Sequence, residues 1–313
     1  MARGRKKGDP ISGWVNLDKP YGMTSTQAIG KVRRFLNAQK IGHAGTLDPL
    51  ATGILPIALG DATKTIPFAQ DAIKTYLFTV TWGEQRATDD AEGEVIATSD
   101  HKPSQKDIIN ALPTFTGNIE QTPPIFSAIK IHGARAYDLA RAGEIPELKS
   151  RIVSIQQLDL ISHDEQSATL RTTCGKGTYI RSLARDLAIH LGTVGYVSML
   201  RREKVGVFTE QNAISLDIIE EMDYVAARSE ALLPLQTVLD DIPALALKEE
   251  ETVRLRNGQA LQFVSRPDFS RLTKVGLGQK EAVIALATYD DQPVALVEQA
   301  RAEIKPVRVF NIF

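Results

Sequence analysis

Residues 42–53 constrain the fold more than any other stretch, and they read G-H-A-G-T-L-D-P-L-A-T-G. Glycine tolerates positive φ and close backbone approach, while Pro49 fixes its own φ and keeps Asp48 out of the helical region. Because apolar runs flank the segment on both sides, we predict a shaped loop between two packed elements. Such loops often carry binding and catalytic groups, and Asp48 is the only acid here. An Asp-Pro pair also commonly does no more than open a turn, and local chemistry alone favours that plain role.

The amino-acid totals are those of an ordinary soluble protein. Of the 313 residues, 43% are apolar and 24% are charged, which suffices for a well-buried core in one large domain or two. No apolar run approaches the ~18–20 residues that cross a bilayer, and the polar, basic residues 1–10 do not resemble a secretory signal. The single cysteine, Cys174, excludes an internal disulfide and fits a reducing compartment. We therefore expect a cytoplasmic protein.

Charge is distributed unevenly along the chain, although the net charge is only −1. Residues 1–50 hold nine Lys or Arg against three Asp or Glu, and residues 171–205 hold seven against two. Residues 209–251 hold two basic residues against eleven acidic ones. This asymmetry supports a basic face for nucleic-acid phosphates, although charge runs are more often plain solvated surface.

Periodicity predicts the main elements. Alternating side chains at residues 76–82 indicate a strand. An apolar face at residues 25–37 indicates a helix begun by Ser25 or Thr26, and residues 177–191 read as a strand end that runs into a second helix.

Residues 122–150 differ from the rest because prolines and glycines interrupt every regular pattern. We predict an irregular insertion with one helix near residues 134–142. A flap that closes on RNA and an ordinary surface loop explain this composition equally well. Its basic and aromatic residues are Lys130, Arg135, Arg141, Lys149, Phe126 and Tyr137.

Several sequence blocks, taken together and in order, resemble the TruB family of tRNA pseudouridine synthases. The resemblance covers nearly the whole chain, and the order of the blocks makes it far more specific than any single one. The blocks are G-W-V-N-L-D-K-P-Y-G-M-T-S at 13–25, G-H-A-G-T-L-D-P-L-A-T-G at 42–53, G-D-A-T-K at 60–64, K-T-Y at 74–76, G-K-G-T-Y-I-R-S-L at 175–183 and L-R-R at 200–202.

The resemblance implies an α+β fold, with a mixed, mainly antiparallel sheet and a central cleft. It implies a catalytic domain at residues 1–240, with an RNA-clamping insertion at about 122–150. Residues 244–313 resemble the small, β-rich PUA domain that binds RNA, through R-N-G-Q at 256–259 and K-P-V-R-V-F at 305–310.

The implied reaction is the isomerisation of uridine to pseudouridine at position 55 in the T loop of tRNA. The glycosidic bond breaks, the base turns, and C5 is rejoined to the ribose. No redox change or phosphate transfer occurs, so we expect neither cofactor nor metal. Residues 175–178, Gly-Lys-Gly-Thr, fail the phosphate-binding P-loop pattern, and the sequence contains no Cys/His metal motif.

The resemblance also changes the interpretation of Asp48, which matches the family nucleophile. An aspartate with an unperturbed pKa of about 3.9 is ionised at pH 7 in all but roughly one molecule in a thousand, so no separate base is needed. Arg181 matches the arginine that pairs with it, and a guanidinium suits bidentate carboxylate binding. Tyr76 matches the tyrosine that stacks on the flipped base, and its phenol could assist proton removal. Attack on the base, attack on C1′ and elimination at the sugar all remain open.

Five further positions are implied to bind substrate. His43 matches a histidine beside the aspartate, which we expect to contact RNA rather than to act as an acid or base. Tyr179 and Leu200 match residues that line the uridine pocket. Lys19 and Lys64 are candidate supports for the RNA backbone or the pocket. Asp90 lies in a shared block, with no role that the sequence reveals.

Three hypotheses follow. The first is a stand-alone enzyme, which we expect to be a monomer that acts on the tRNA T stem-loop without a membrane or an obligatory protein partner. The second is a non-catalytic tRNA-folding chaperone that uses the same cleft. The third is a guided synthase subunit of a ribonucleoprotein, and the modest C-terminal module favours the stand-alone enzyme over it.

Overall fold

The computed structural model describes residues 8–127, 130–131, 134–137, 148–278 and 281–311. Its first 243 residues contain the strands β1 (Gly13–Lys19), β2 (Ile41–His43), β3 (Thr52–Leu59), β4 (Lys74–Trp82), β5 (Glu84–Arg86), β6 (Val95–Thr98), β7 (Gly117–Gln121), β8 (Lys130–Ile131), β9 (Ala134–Arg135), β10 (Arg151–His163), β11 (Ser167–Cys174), β12 (Gly195–Val205), β13 (Phe208–Thr209) and β14 (Ile214–Ser215). The same part contains the helices α1 (Ser25–Phe35), α2 (Ile66–Asp71), α3 (Gln105–Ala111), α4 (Ile180–His190), α5 (Leu216–Glu221) and α6 (Tyr224–Glu230).

Ten strands of the described residues form one sheet, in the order β14-β1-β3-β12-β4-β11-β10-β7, with β2 beside β3 and β13 beside β12. Among the described strand pairs of this sheet, β1–β14 and β3–β12 are parallel and the others are antiparallel. The predicted α+β class, with a mixed and mainly antiparallel sheet, is therefore confirmed.

The two halves of this sheet meet at a short contact between β3 and β12, where only Thr52 and Gly53 pair with Arg201 and Arg202. Gly53 has a φ of 99°, and a Cβ placed on it would lie 2.3 Å from the Arg202 carbonyl oxygen. Only glycine allows this approach of the two backbones.

Each half-sheet is covered by one long helix. Helix α4 buries Ile180, Leu183, Ala184 and Leu187 against β4 and β11, at the spacing that the sequence predicts for one helix face. Helix α1 packs on the other half in the same way, with Ala28 and Val32 buried.

The N-cap of helix α1 differs from the prediction. Thr24, rather than Ser25 or Thr26, is its N-cap, and Thr24 forms a capping box with Gln27. The prediction was wrong because Ser25 is engaged elsewhere: its hydroxyl donates to the Leu47 carbonyl at 2.9 Å and accepts from the Leu47 amide.

A second sheet follows residue 243, so the predicted small, β-rich C-terminal unit is confirmed. Its strands lie in the order β15-β17-β18-β19-β16, and apolar side chains of this sheet pack against the first part of the chain around Trp14, Phe208 and Phe310. The elements are β15 (Ala244–Ala246), α7 (Glu249–Arg256), β16 (Leu261–Gln262), α8 (Arg266–Lys274), β17 (Val283–Tyr289), β18 (Gln292–Ala300) and β19 (Glu303–Val309).

The predicted insertion is described in part. Strands β8 and β9 pair antiparallel, and most of the helix expected near residues 134–142, with Arg141, lies outside the described residues. Within the described parts of the chain, no helix is long and apolar enough to span a membrane.

Candidate active site

A cleft of about 700 Å³ opens at the junction of the two half-sheets. Five residues that the sequence predicts for the site line it, namely Asp48, Tyr76, Tyr179, Arg181 and Leu200. They come from four separate places in the chain: the 44–51 loop, β4, the start of α4 and β12. The fold therefore brings these predicted residues together around one space.

The loop at residues 44–51 is fixed by the protein on several sides. The Ala51 amide donates to the Asp48 carbonyl, so the Asp-Pro pair does open a turn. The Leu47 amide donates to the Ser25 hydroxyl, and the Ala44 amide donates to the Pro56 carbonyl at 3.0 Å. Asp48 is thus held by a rigid backbone while its side chain keeps 37% exposure toward the cleft.

Lys19 supports this loop from below. Its buried ammonium donates to the carbonyls of Pro20, Met23 and Pro49, the last at 3.3 Å. Burial lowers the pKa of Lys19 to about 8, although the nearby Asp48 carboxylate opposes the shift. Lys19 therefore acts on the loop backbone beside Asp48 and does not line the cleft.

Arg181 contacts Asp48 directly, with its Nε atom 2.9 Å from Oδ2. Its other two nitrogens donate to backbone carbonyls, Nη1 to Thr88 at 2.8 Å and Nη2 to Phe126 at 2.9 Å. The sequence favours a bidentate interaction between this guanidinium and the Asp48 carboxylate. The structure instead uses the terminal nitrogens to fix the guanidinium itself.

Asp90, whose role the sequence leaves open, is the second carboxylate near this guanidinium. Its Oδ2 atom lies 3.7 Å from Arg181 Nη1, and its Oδ1 atom accepts from the Thr88 hydroxyl and the Glu92 amide. Asp90 therefore shapes the turn whose Thr88 carbonyl receives Arg181.

The surroundings change the acidity of Asp48. Burial raises the pKa of this carboxyl, the Arg181 cation lowers it, and the charge of Asp90 raises it again. The net direction is upward from the ordinary value. A raised pKa beside a fixed cation in a cleft is typical of functional carboxylates.

Tyr76, Tyr179 and Leu200 form the walls of the cleft. Tyr76 is half-buried on β4, and burial raises the pKa of its phenol while the Arg202 cation opposes the rise. Tyr179 precedes α4, where its amide donates to the Gln121 side chain at 2.8 Å and its ring lies against the Arg151 guanidinium. Both aromatic residues therefore line the same cleft.

His43 and Lys64 do not line the cleft. His43 is the last residue of β2, one residue before the cleft-lining Ala44, and burial lowers the pKa of its ring. Lys64 donates to the Val309 carbonyl at 2.7 Å and pairs with Asp61 at 2.8 Å. The Lys64 ammonium therefore joins the first part of the chain to the C-terminal sheet, and its expected support of the RNA backbone or the pocket stays a prediction.

Sequence reasoning missed several residues that line the cleft. Lys74 and Arg202 lie at its base, and both are buried cations. In their blocks, K-T-Y and L-R-R, the sequence points only to Tyr76 and Leu200 as site residues. A charged residue at an inward position of a predicted strand was the available signal, because buried charges need a specific partner. The remaining basic residues of the lining are Arg151 and Lys176.

Comparison with known proteins identifies the family. Residues 33–180 match the model of the TruB family pseudouridylate synthase N-terminal domain, and residues 181–243 match the tRNA pseudouridylate synthase B C-terminal domain. The tRNA pseudouridine synthase B of Caulobacter vibrioides is 52% identical over 313 residues and covers 100% of both chains. The protein of the same name from Rhodospirillum rubrum is 48% identical over 309 residues, which cover 98% of this chain and 99% of the relative.

Solved structures support the fold. A crystal structure of a Cbf5-Nop10-Gar1 complex matches with a TM-score of 0.69 at 24% identity, over 96% of this chain and 84% of the other. An H/ACA RNP bound to a substrate RNA containing 2′-deoxyuridine matches with a TM-score of 0.70 at 21% identity, over 99% and 92% of the two chains. From the family models and the full-length relatives together, the chain belongs to the TruB family of pseudouridylate synthases.

Proposed function

We propose that this protein converts uridine to pseudouridine at position 55 in the T loop of tRNA, with Asp48 as the nucleophile. The observation that carries the proposal is the 2.9 Å contact between Asp48 and a fixed Arg181 guanidinium, in a cleft with two aromatic walls. The tRNA substrate is supported by the names of full-length relatives, and position 55 by the sequence blocks.

Substrate entry requires the target base to leave its stack. Flipping a nucleotide costs a few kcal/mol, and stacking on an aromatic ring returns about 1–3 kcal/mol per base. Tyr76 offers such a ring, with Tyr179 and Leu200 as further walls of the same cleft. We assign base stacking to Tyr76 and pocket shape to the other two.

The bond changes balance without an oxidant or reductant. The C1′–N1 bond breaks and its electron pair goes to the uracil ring. The ring turns, C5 forms the new bond to C1′, C5 loses its proton and N1 ends with one. Asp48 is suited to the covalent step because an ionised carboxylate attacks without a separate base. Attack at the base, attack at C1′ and elimination at the sugar all satisfy this balance.

Arg181 and Lys19 serve the nucleophile in this proposal. Arg181 opposes the rise in the pKa of Asp48 that burial causes, which keeps more of the carboxyl ionised. Lys19 fixes the Pro49 carbonyl next to it. The phenol of Tyr76 is a candidate acceptor for the C5 proton.

RNA binding extends beyond the cleft. We assign an RNA contact to His43, at the edge of the loop, and RNA clamping to the 122–150 insertion. Residues 244–313 are proposed to be a PUA-like RNA-binding domain joined to a catalytic domain at residues 1–240. The single cysteine supports placing the enzyme in the reducing cytoplasm.

The test is tritium release from bare tRNA that carries the label at uridine C5. Purified wild-type protein should release the label without any partner, because C5 loses its hydrogen on rejoining. Asp48→Asn should release none while it retains tRNA binding. A silent wild type, or full release by Asp48→Asn, would refute the assignment. Restoration of misfolded tRNA by both proteins without release would favour the chaperone instead.

A further inference from the structure

Arg202 is a cation at the base of the cleft that the proposed chemistry does not use. It is 2% exposed. Its Nε atom donates to the Ile54 carbonyl at 2.7 Å, Nη2 to Gly45 at 3.1 Å and Nη1 to Thr46 at 3.4 Å. Within the described part of the chain these hydrogen-bond partners are backbone carbonyls rather than carboxylates.

Burying a cation among neutral groups costs free energy, so we expect the charge of Arg202 to have a specific role. Removing a charge from water costs several kcal/mol, and neutral carbonyls compensate it less well than a carboxylate would. An apolar side chain would satisfy the packing at lower cost. Hydrogen bonding to the three carbonyls therefore explains why an arginine occupies this position, whereas packing alone does not.

Two of those carbonyls belong to the loop that carries Asp48. Gly45 and Thr46 precede Asp48 by two to three residues, while Ile54 follows the loop on β3. One planar guanidinium thus joins both ends of the loop from beneath. Its planar fork of donors suits this task, because three nitrogens at fixed positions each donate to a different carbonyl.

The same residue is also placed against Tyr76. Arg202 and Tyr76 are directly paired in the β4–β12 ladder, and both line the cleft. The guanidinium opposes the rise that burial causes in the pKa of the phenol. Arg202 therefore touches the base of the Asp48 loop on one side and the base-stacking tyrosine on the other.

We propose that Arg202 is a positioning residue for the isomerisation, which fixes the Asp48 loop and the Tyr76 ring in one arrangement. The catalytic part of this inference rests on the proposed function. The part that concerns the loop does not rest on the proposed function, because the contacts between Arg202 and the loop are present without substrate. The two parts can therefore be tested separately.

Arg201 supplies a matched control. It is the neighbouring residue on β12, and its guanidinium pairs with Asp18 at 2.8 Å and with Glu210. Both arginines pair with β3 at the same short contact. Replacing either one removes an arginine from the same strand, but only Arg202 contacts the loop.

The experiment compares Arg202→Lys and Arg202→Gln with Arg201→Lys and Arg201→Gln in the full-length protein. Tritium release from tRNA labelled at uridine C5 gives kcat and KM, and hydrogen exchange gives the protection of the amides at residues 44–51. We expect the Arg202 variants to lose about 100-fold in kcat, with KM within about threefold. The amides of residues 44–51 should exchange faster in the Arg202 variants. In the Arg201 variants, both the tritium-release kinetics and the amide exchange should stay near the wild-type values.

The pH profile provides a readout that a purely structural role would not change. Arg202→Gln removes a cation that lowers the pKa of the Tyr76 phenol. A limb of the pH–rate profile that reports this phenol should therefore move to higher pH in that variant. Arg202 variants with wild-type kcat and loop protection would overturn the proposal. Failure of both variants to fold would also overturn it, because Arg202 would then serve the fold alone.

A silent wild type separates the two proposals. If wild-type protein releases no tritium while loop protection still depends on Arg202, the proposed function fails and the hold on the loop stands. If release occurs and loop protection is the same in all variants, the proposed function stands and the inference fails.

Discussion

The Nε atom of Arg181 lies 2.9 Å from Oδ2 of Asp48, and the arginine is the more buried partner, with 5% exposure against 37%. The guanidinium is held by the Thr88 and Phe126 carbonyls, so its position does not depend on the carboxylate. Such preorganised charge costs no rearrangement when substrate arrives. Phe126 lies in the 122–150 insertion that the sequence predicts to clamp RNA, so the same arginine contacts both the candidate nucleophile and the predicted clamp.

Arg181→Met should lower kcat by about 100-fold or more. The substitution removes the cation that contacts Asp48 and the donor to the Thr88 and Phe126 carbonyls. Arg185→Met is the matched control, because Arg185 lies one turn further along α4 and binds Asp89 and the Thr122 carbonyl. Steady-state tritium release measures the effect, and an equal loss in both variants would contradict a specific role for Arg181.

The pH dependence of activity should show the raised pKa of Asp48. The nucleophile must be deprotonated, so the rate falls as the pH drops through that pKa. Because burial raises it, the acid limb of kcat/KM should have its midpoint above the ~3.9 of a free aspartate. In Arg181→Met the midpoint should rise further, because a cation that lowers the pKa is gone. A lower midpoint in Arg181→Met would contradict the expected direction of the pKa shift. Unfolding measured over the same pH range excludes acid denaturation as the cause of the limb.

Gly53→Ala should destabilise the fold strongly. The substitution adds a Cβ 2.3 Å from the Arg202 carbonyl oxygen at a φ of 99°. Gly22→Ala is the control, because Gly22 also has a positive φ of 76° but no atom within 4 Å of the added Cβ. Strain alone costs about 1–2 kcal/mol, and the clash should add about 1–3 kcal/mol. Urea unfolding measures both, and equal losses would mean that the backbones can separate freely.

Phe310→Ala should cost about 3 kcal/mol or more. Phe310 is buried where the C-terminal sheet packs on the first part of the chain. Phe269→Ala provides the comparison, because Phe269 is 41% exposed on α8 and surface changes usually stay within about 0.5 kcal/mol. Thermal unfolding should show one transition at lower temperature for Phe310→Ala. Two separate transitions in the wild type would argue against a shared core.

Local patterns predicted the elements that depend on neighbouring residues. The alternation around Phe78 and Val80 gave the strand β4, and the apolar spacing around Leu183 and Leu187 gave α4. These succeeded because a strand or an amphipathic helix repeats its buried positions at a fixed period. The predicted N-cap of α1 was wrong because serine and threonine both serve as N-caps, and the contact of Ser25 with the distant Leu47 has no local signal.

Contacts between distant residues explain the remaining differences. Lys64 carries no sign in its own neighbourhood that its ammonium binds the carbonyl of Val309. Asp90 is likewise an unremarkable acid in an acidic loop until the fold brings it to 3.7 Å from Arg181. Neither position follows from spacing, because each depends on how separate segments pack.

A stiff loop around Asp48 follows from the amino-acid sequence alone, since the conformations of glycine and proline are local properties. Through its ordered blocks the sequence also determined the family. What holds that loop depends on the packing of distant segments: the Ser25 hydroxyl of α1, the Lys19 ammonium of β1 and the Arg202 guanidinium of β12 all reach it. Hydrogen bonds from buried side chains to backbone carbonyls have no sequence signature, because the acceptor is the same group in every residue.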